Sequence, residues 1–246
     1  MKKLALLAAF ASWAAICSCS RAPDRQPHEV DAMNRLTSDE RAGGWQLLFD
    51  GRTIQHWRGY RSDILPKGWQ VVDGAITRVD SAGDIVSTDQ YRDFELTLEW
   101  KVAEGGNSGI FWRVSEDQKY PWESGPEMQV LDDARHPDGR SPLTSAGALY
   151  GLYPSRRGVV HAAGEWNAVR ILVQGNHVEY WLNRVKLVEA EIGSKDWNAR
   201  VARSKFATMP RYGRNPAGYL GLQDHGDWVA FRNIKIRVLQ QGRPAR

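Results

Sequence analysis

Cysteine is almost absent from this chain of 246 residues: there are two, Cys17 and Cys19, both near the N-terminus. If processing removes the first of them, no pair is left, which excludes a disulfide framework and a cysteine-based metal site. A strong charge of one sign is also lacking. The formal net charge of +4 is scattered along the sequence, too little for a nucleic-acid surface. No G-x-G-x-x-G turn opens a helix, so no nicotinamide cofactor is expected. There is no internal repeat and no low-complexity block. The apolar run from Leu4 to Ile16 is shorter than the roughly 20 residues that span a bilayer.

That run has instead the shape of an export signal, with Lys2 and Lys3 as its charged n-region. Ile16-Cys17-Ser18-Cys19 follows and resembles a bacterial lipobox. On that resemblance, residues 1–18 are a lipoprotein signal peptide and Cys19 is lipidated. The protein is then exported and anchored through lipid to a bacterial membrane, in the periplasm or at the cell surface. Simple secretion with cleavage nearby is the alternative. Residues 19–42 are polar and aperiodic and read as a tether. Residues 43–240 are the expected folded domain, and 241–246 a short tail.

Within that domain the prevailing pattern is short alternating segments separated by Gly, Asp and Asn. In Phe94-Glu95-Leu96-Thr97-Leu98-Glu99-Trp100-Lys101-Val102, every second side chain is apolar and faces a core. Gly175-Asn176 between two such segments signals a hairpin. The last strand alternates through Val229, Phe231, Ile234 and Ile236, with a register break near Asn233 that suggests a bulge. The single helical period runs from Ser194, an available N-cap, to Phe206, and its Arg200, Arg203 and Lys205 read as a solvated face. The expected architecture is all-β: a concanavalin A-like jelly-roll sandwich of two antiparallel sheets with one short helix.

Glu127, Gln129 and Asp132 lie at offsets of zero, two and five in EMQVLD. A plain strand repeats its facing side chains every two residues, so a one-residue bulge would be needed to put all three on one face. The E-x-Q-x-x-D spacing resembles the E-x-D-x-x-E strand of laminarinase-like glycoside hydrolases. Retaining chemistry there needs two carboxyl groups about 5 to 5.5 Å apart. Here Gln129 replaces the middle carboxylate, and Asp132 is one methylene shorter than Glu.

Glu127 is a candidate general base or metal ligand, and Gln129 can hydrogen-bond sugar hydroxyls or hold a neighbour. His136, in the turn-rich loop after the strand, suits an acid, a base or a neutral metal ligand. His225, beside Gln223 in Gln223-Asp224-His225-Gly226-Asp227, could join Glu127 and His136 to bind a divalent metal ion. Aromatic rings supply apolar platforms for a pyranose. Trp122, bounded by Pro and Gly, is the preferred platform, with Tyr150 and Gln223 beside it as substrate-binding residues. Trp69, Trp100, Trp166 and Trp181 are expected to pack in the core or in hairpins.

A broader resemblance runs from GWQLLFDG to LQDHGDWVAFRNIKI. The segments NSGIFWRV, YPWESGPEMQVLDDARHPDG, GALYGLY, GEWNAVRILVQGNHVEYWLN and LQDHGD, in that order, resemble the 3-keto-disaccharide hydrolase family, associated with 3-keto-glucoside 1,2-lyase and 3-keto-2-hydroxyglucal hydratase activities. The resemblance implies a 3-keto sugar substrate, made by a separate sugar 3-dehydrogenase upstream. The C3 ketone acidifies the hydrogen on C2, so one base, a donor for the C3 oxyanion and an acid for the leaving group suffice. Catalytic roles then fall to Glu127, Asp132 and His136. The rival expectations are a direct glycosidase using Glu127 and Asp132, and a non-catalytic carbohydrate-binding module.

Overall fold

Alternation along Phe94–Val102 builds a strand whose even-numbered side chains are buried while Thr97, Glu99 and Lys101 are half-buried on the other face. The same principle generates most of the architecture of the computed structural model, which describes residues 33–239. The signal-like segment, Cys19, the first part of the expected tether and the tail lie outside the described residues.

Among the described residues there are thirteen strands. They are β1 (Trp45–Leu47), β2 (Trp57–Gly59), β3 (Trp69–Val72), β4 (Ala75–Arg78), β5 (Ile85–Tyr91), β6 (Phe94–Val102) and β7 (Asn107–Val114). After these come β8 (Glu127–Leu131), β9 (Asn167–Gln174), β10 (His177–Leu182), β11 (Val185–Glu191), β12 (Gly218–Leu222) and β13 (Val229–Val238). Seven strands of an eight-stranded antiparallel sheet follow the order β11-β10-β9-β6-β13-β4-β3, and β1 pairs with β13. The second sheet has five strands, β2-β5-β12-β7-β8. Leu96, Trp100, Val178 and Phe231 from the first sheet pack with Ile85, Ile110, Met128 and Leu220 from the second in one core. Across it, Trp112 Nε1 donates to the hydroxyl of Tyr180 at 2.6 Å, satisfying a buried indole that would otherwise lose a hydrogen bond.

The hairpin expected at Gly175-Asn176 joins β9 to β10, with Gly175 at φ 60°. The bulge expected near Asn233 is present: the β13–β6 register shifts between Arg232 and Lys235, and Asn233 has φ 52°. The bulge expected after Glu127 is not. β7 and β8 pair without a break from Phe111↔Glu127 to Asn107↔Leu131, so Asp132 lies beyond the strand end.

Two further differences concern helices and the domain boundary. Besides α2 (Lys195–Ala202), capped by Ser194, there is a one-turn helix, α1 (Ser38–Ala42), closed by a capping box between Thr37 and Glu40. The folded unit starts at Met33 rather than at residue 43. Asn34 is buried and exchanges hydrogen bonds with Asn233, at 2.6 and 2.8 Å, and Lys235 pairs with Glu40 at 2.7 Å. Residues 33–42 therefore belong to the domain, because β13 supplies the polar partners they need. Trp69 and Trp100 are core residues and Trp181 lies on the β9–β10 hairpin, as expected; Trp166 and Trp181 are half-buried, with cationic side chains over their rings.

Candidate active site

The β7–β8 pairing places Met128 and Val130 in the core and turns Glu127 and Gln129 to the opposite face of the five-stranded sheet. β8 is the edge of its sheet, but its exposed side is covered by residues 147–150. Gln129 N donates to Ala148 O at 3.0 Å, Gly147 N to Gln129 O at 2.9 Å, and Tyr150 N to Glu127 O at 3.0 Å. This backbone pairing sets Tyr150 next to Glu127. A turn at Pro121–Glu123 and another at Lys205–Thr208 bring Trp122 and Lys205 to the same place.

The result is a cleft of about 260 Å³ lined by Asn107, Trp122, Glu127, Gln129, Asp138, Tyr150, Lys205, Gln223 and His225. Its amides are unusual. Both side-chain polar atoms of Gln129, the Oδ1 of Asn107 and the Oε1 of Gln223 are buried without a hydrogen-bond partner. Leaving such groups unmet costs about 1–3 kcal/mol each, so their presence marks a surface built to meet a polar ligand.

Glu127 is 6% exposed, and no side chain or backbone group among the described residues hydrogen-bonds its carboxyl. Burial pushes its pKa from 4.5 up to about 8, Lys205 pulls it down, and Asp84 and Asp138 raise it. A carboxyl poised near neutrality can both accept and return a proton. Gly109 makes room for it: a Cβ there would collide with the carboxylate oxygen and lie 2.8 Å from Cδ. Burial likewise pushes the Tyr150 phenol up to about 12, with the charges of Asp138 and Glu127 adding to the effect. The Tyr150 hydroxyl lies 3.4 Å from Asp138 Oδ2. Asp84, half-buried, is raised to about 6 by burial, against a hydrogen bond from the Asp224 backbone.

Of the residues singled out in the sequence, Glu127, Gln129, Trp122, Tyr150, Gln223 and His225 line this one cleft. Asp132 does not. Its Oδ2 accepts from Gly105 N at 2.7 Å and its Oδ1 from Ala134 N at 3.1 Å, and it lines a different depression with Arg157 and His161. Without the bulge, its carboxylate is spent on turning the chain. Asp132→Ala is therefore expected to lower stability by about 2 kcal/mol while leaving turnover per folded molecule within a few-fold of wild type. Urea denaturation beside an assay corrected for folded fraction checks this, and a selective loss of turnover would return Asp132 to the chemistry.

His136 is outside the cleft's lining as well. Its Nδ1 accepts from Asp138 N at 3.1 Å and its Nε2 faces the Asn107 amide at 3.4 Å, so both ring nitrogens are directed at the protein. The His136 and His225 rings meet edge to face at 6.3 Å. Glu127, His136 and His225 do not form a metal-ligand set. Among the described residues, only His177, Glu179 and Glu189 bring three ligand atoms within 4.8 Å of one another. That group lies on the other sheet, where Lys186 and Arg170 already neutralise Glu179. The expected divalent-metal donors thus do not stand together as a preformed three-ligand group among the described residues.

Two cleft residues were missed or underrated. Asn107 was not singled out in the sequence, yet it lines the cleft. Lys205 read as a solvated cation, and it is exposed, but its Nζ also reaches the cleft, 4.3 Å from the Tyr150 ring centroid and 5.3 Å from that of Trp122.

Fold and cleft together define a β-sandwich protein with a small polar ligand site on the outer face of its smaller sheet. More particularly, the chain belongs to the family of the 3-keto-alpha-glucoside-1,2-lyase-like domain, whose sequence pattern matches residues 44–237. A curated protein of Bacteroides thetaiotaomicron named 3-keto-disaccharide hydrolase is 34% identical over 239 residues, covering 84% of this chain and 82% of that one. The crystal structure of a candidate glycosyl hydrolase from Parabacteroides distasonis has a TM-score of 0.78 at 37% identity, covering 85% of this chain and 100% of the other. A second from the same organism has a TM-score of 0.64 at 29% identity, covering 79% and 99%.

Proposed function

We propose that this protein cleaves 3-keto-glucosides and 3-keto-disaccharides by removing the C2 proton and eliminating the aglycone from C1. The observation that carries the reading is Glu127: a buried carboxyl, held near neutrality by burial, in a cleft that also presents amide atoms of Asn107, Gln129 and Gln223 without a hydrogen-bond partner. Membership of the family, and the name of the Bacteroides relative, support the same substrate class.

In the derived sequence of events, Glu127 takes the proton from C2 and the pair of electrons moves onto the C3 oxygen. The oxyanion then reforms the ketone as C1=C2 forms and the C1–O bond breaks, and the departing oxygen collects a proton. Addition of water across the new double bond in a second step gives net hydrolysis. Asn107, Gln129 and Gln223 present amide donors and acceptors to hydroxyls, and the rings of Trp122 and Tyr150 exclude water from the apolar face of the sugar. Oxidation at C3 must be done beforehand by a separate dehydrogenase.

A 3-keto-glucoside carrying deuterium at C2 tests the reaction. The label is expected to wash into solvent as product forms, and the parent glucoside to be turned over hardly at all. Equal turnover of both sugars with the label retained would instead mean direct glycosidic hydrolysis.

A further inference from the structure

We propose that Lys205 is the electrophilic residue of this site: its ammonium receives the negative charge that develops on the C3 oxygen as the C2 proton leaves. The assignment rests on the elimination reading and adds a catalytic residue to it.

Lys205 is the single lysine or arginine among the residues lining the cleft. Several partly buried cations of the domain are matched to carboxylates, as in Arg58–Glu116 and Arg78–Asp224, each at 2.7 Å. No carboxylate among the described residues lies within ion-pair distance of Lys205. What holds its ammonium is aromatic: the rings of Tyr150, Trp122 and Phe206, with centroids at 4.3, 5.3 and 5.3 Å. A ring face attracts a cation without consuming the directed N–H donors that an oxyanion needs. Two of these three rings belong to the cleft wall itself.

The backbone beneath the side chain is fixed. Ser204 Oγ accepts from Phe206 N at 3.1 Å, and Phe206, buried, stacks on Tyr212 with centroids 3.9 Å apart. A preplaced full charge is the group that gains most as charge moves from C2 to the ketone oxygen, because its environment need not reorganise during the step. Asn107, Gln129, Gln223 and His225 can donate hydrogen bonds, but none carries a permanent charge.

In the balanced step, the C2–H bonding pair becomes the C2=C3 bond, the carbonyl π pair moves to the C3 oxygen and the proton resides on Glu127. Lys205 neither gains nor loses a proton. The groups acting on Glu127 from the surrounding elements are Lys205, Asp84 and Asp138, with the phenols of Tyr150, Tyr180 and Tyr212. Lys205 is the cation of this set, so it also favours the ionised form of the base.

The test compares Lys205→Met and Lys205→Arg with wild type on a C2-deuterated 3-keto-glucoside, with folding checked by near-UV circular dichroism. Lys205→Met is expected to slow both label washout and product formation by about 10²–10³-fold, with KM within a few-fold. Lys205→Arg should recover part of the rate. The acidic limb of the pH–rate profile should move to higher pH in Lys205→Met, a shift that a purely structural role would not produce. Wild-type washout in a folded Lys205→Met protein would overturn the assignment alone. Absence of washout in wild type would overturn the elimination reading and the assignment with it.

Discussion

Glu127→Gln should yield a protein that is nearly inactive yet more stable than wild type at neutral pH. The activity loss follows from removing the proposed base, a change of at least 10²–10⁴-fold for a group in proton transfer. The gain in stability follows from its titration. In the unfolded chain the carboxyl titrates near 4.5, and in the folded cleft burial raises that to about 8. Between these values the folded state keeps a proton that the unfolded state has released, so stability falls as pH rises from about 4.5 to about 8. A neutral amide of the same shape escapes that penalty. The variant is expected to be more stable by about 3 kcal/mol at pH 7 and equal to wild type below pH 4. Urea titrations at the two pH values read the difference directly. A stability change independent of pH would show that Glu127 is not a desolvated acid.

Gly109→Ala should be nearly as damaging, through a single methyl group. Gly109 has no left-handed φ, so alanine is conformationally acceptable there and the effect is steric. The added Cβ would occupy the space of the Glu127 carboxylate. Overpacking is expected to lower stability by about 1–3 kcal/mol. Displacing the base by the order of 1 Å should lower kcat by about 10²-fold. The double variant with Glu127→Gln separates the causes: once the carboxylate is gone, Gly109→Ala should reduce the residual rate little further. Additive losses would place the damage elsewhere in β7.

The sandwich was legible because its strands alternate cleanly and its hairpins carry the expected turn residues, as between Gln174 and His177. Glu127 and Gln129 were legible for the same reason, being polar at alternate positions of a strand whose other side chains are apolar. Asp132 was misplaced because a bulge was needed to bring it to their face, and an aspartate at a strand end binds backbone donors equally well. His136 was drawn in by proximity in sequence, but a histidine in a turn can accept from the backbone two residues on, as it does from Asp138. Lys205 was lost through helical phase. The helical period was read on to Phe206, whereas α2 ends at Ala202 and a separate turn begins at Lys205, which resets the direction of the side chain. No local signal reports that two aromatic rings from distant loops will be waiting for it.

The position of β13 has a consequence for how the chain reaches this state. It pairs with β1, β4 and β6, joining Trp45 and Phe94 to the last strand among the described residues through Trp45↔Arg237 and Phe94↔Val238. Hairpins such as β9–β10 can close as soon as they are made, but three strands of the larger sheet lack a neighbour until the C-terminal strand exists. Pairings so remote in sequence slow folding to the millisecond-to-second range typical of β-sandwiches. They also leave unpaired edges open to other chains in the interval. On the ribosome the larger sheet therefore cannot be completed before synthesis of the domain is all but finished, and any chaperone that guards its edges must act until then.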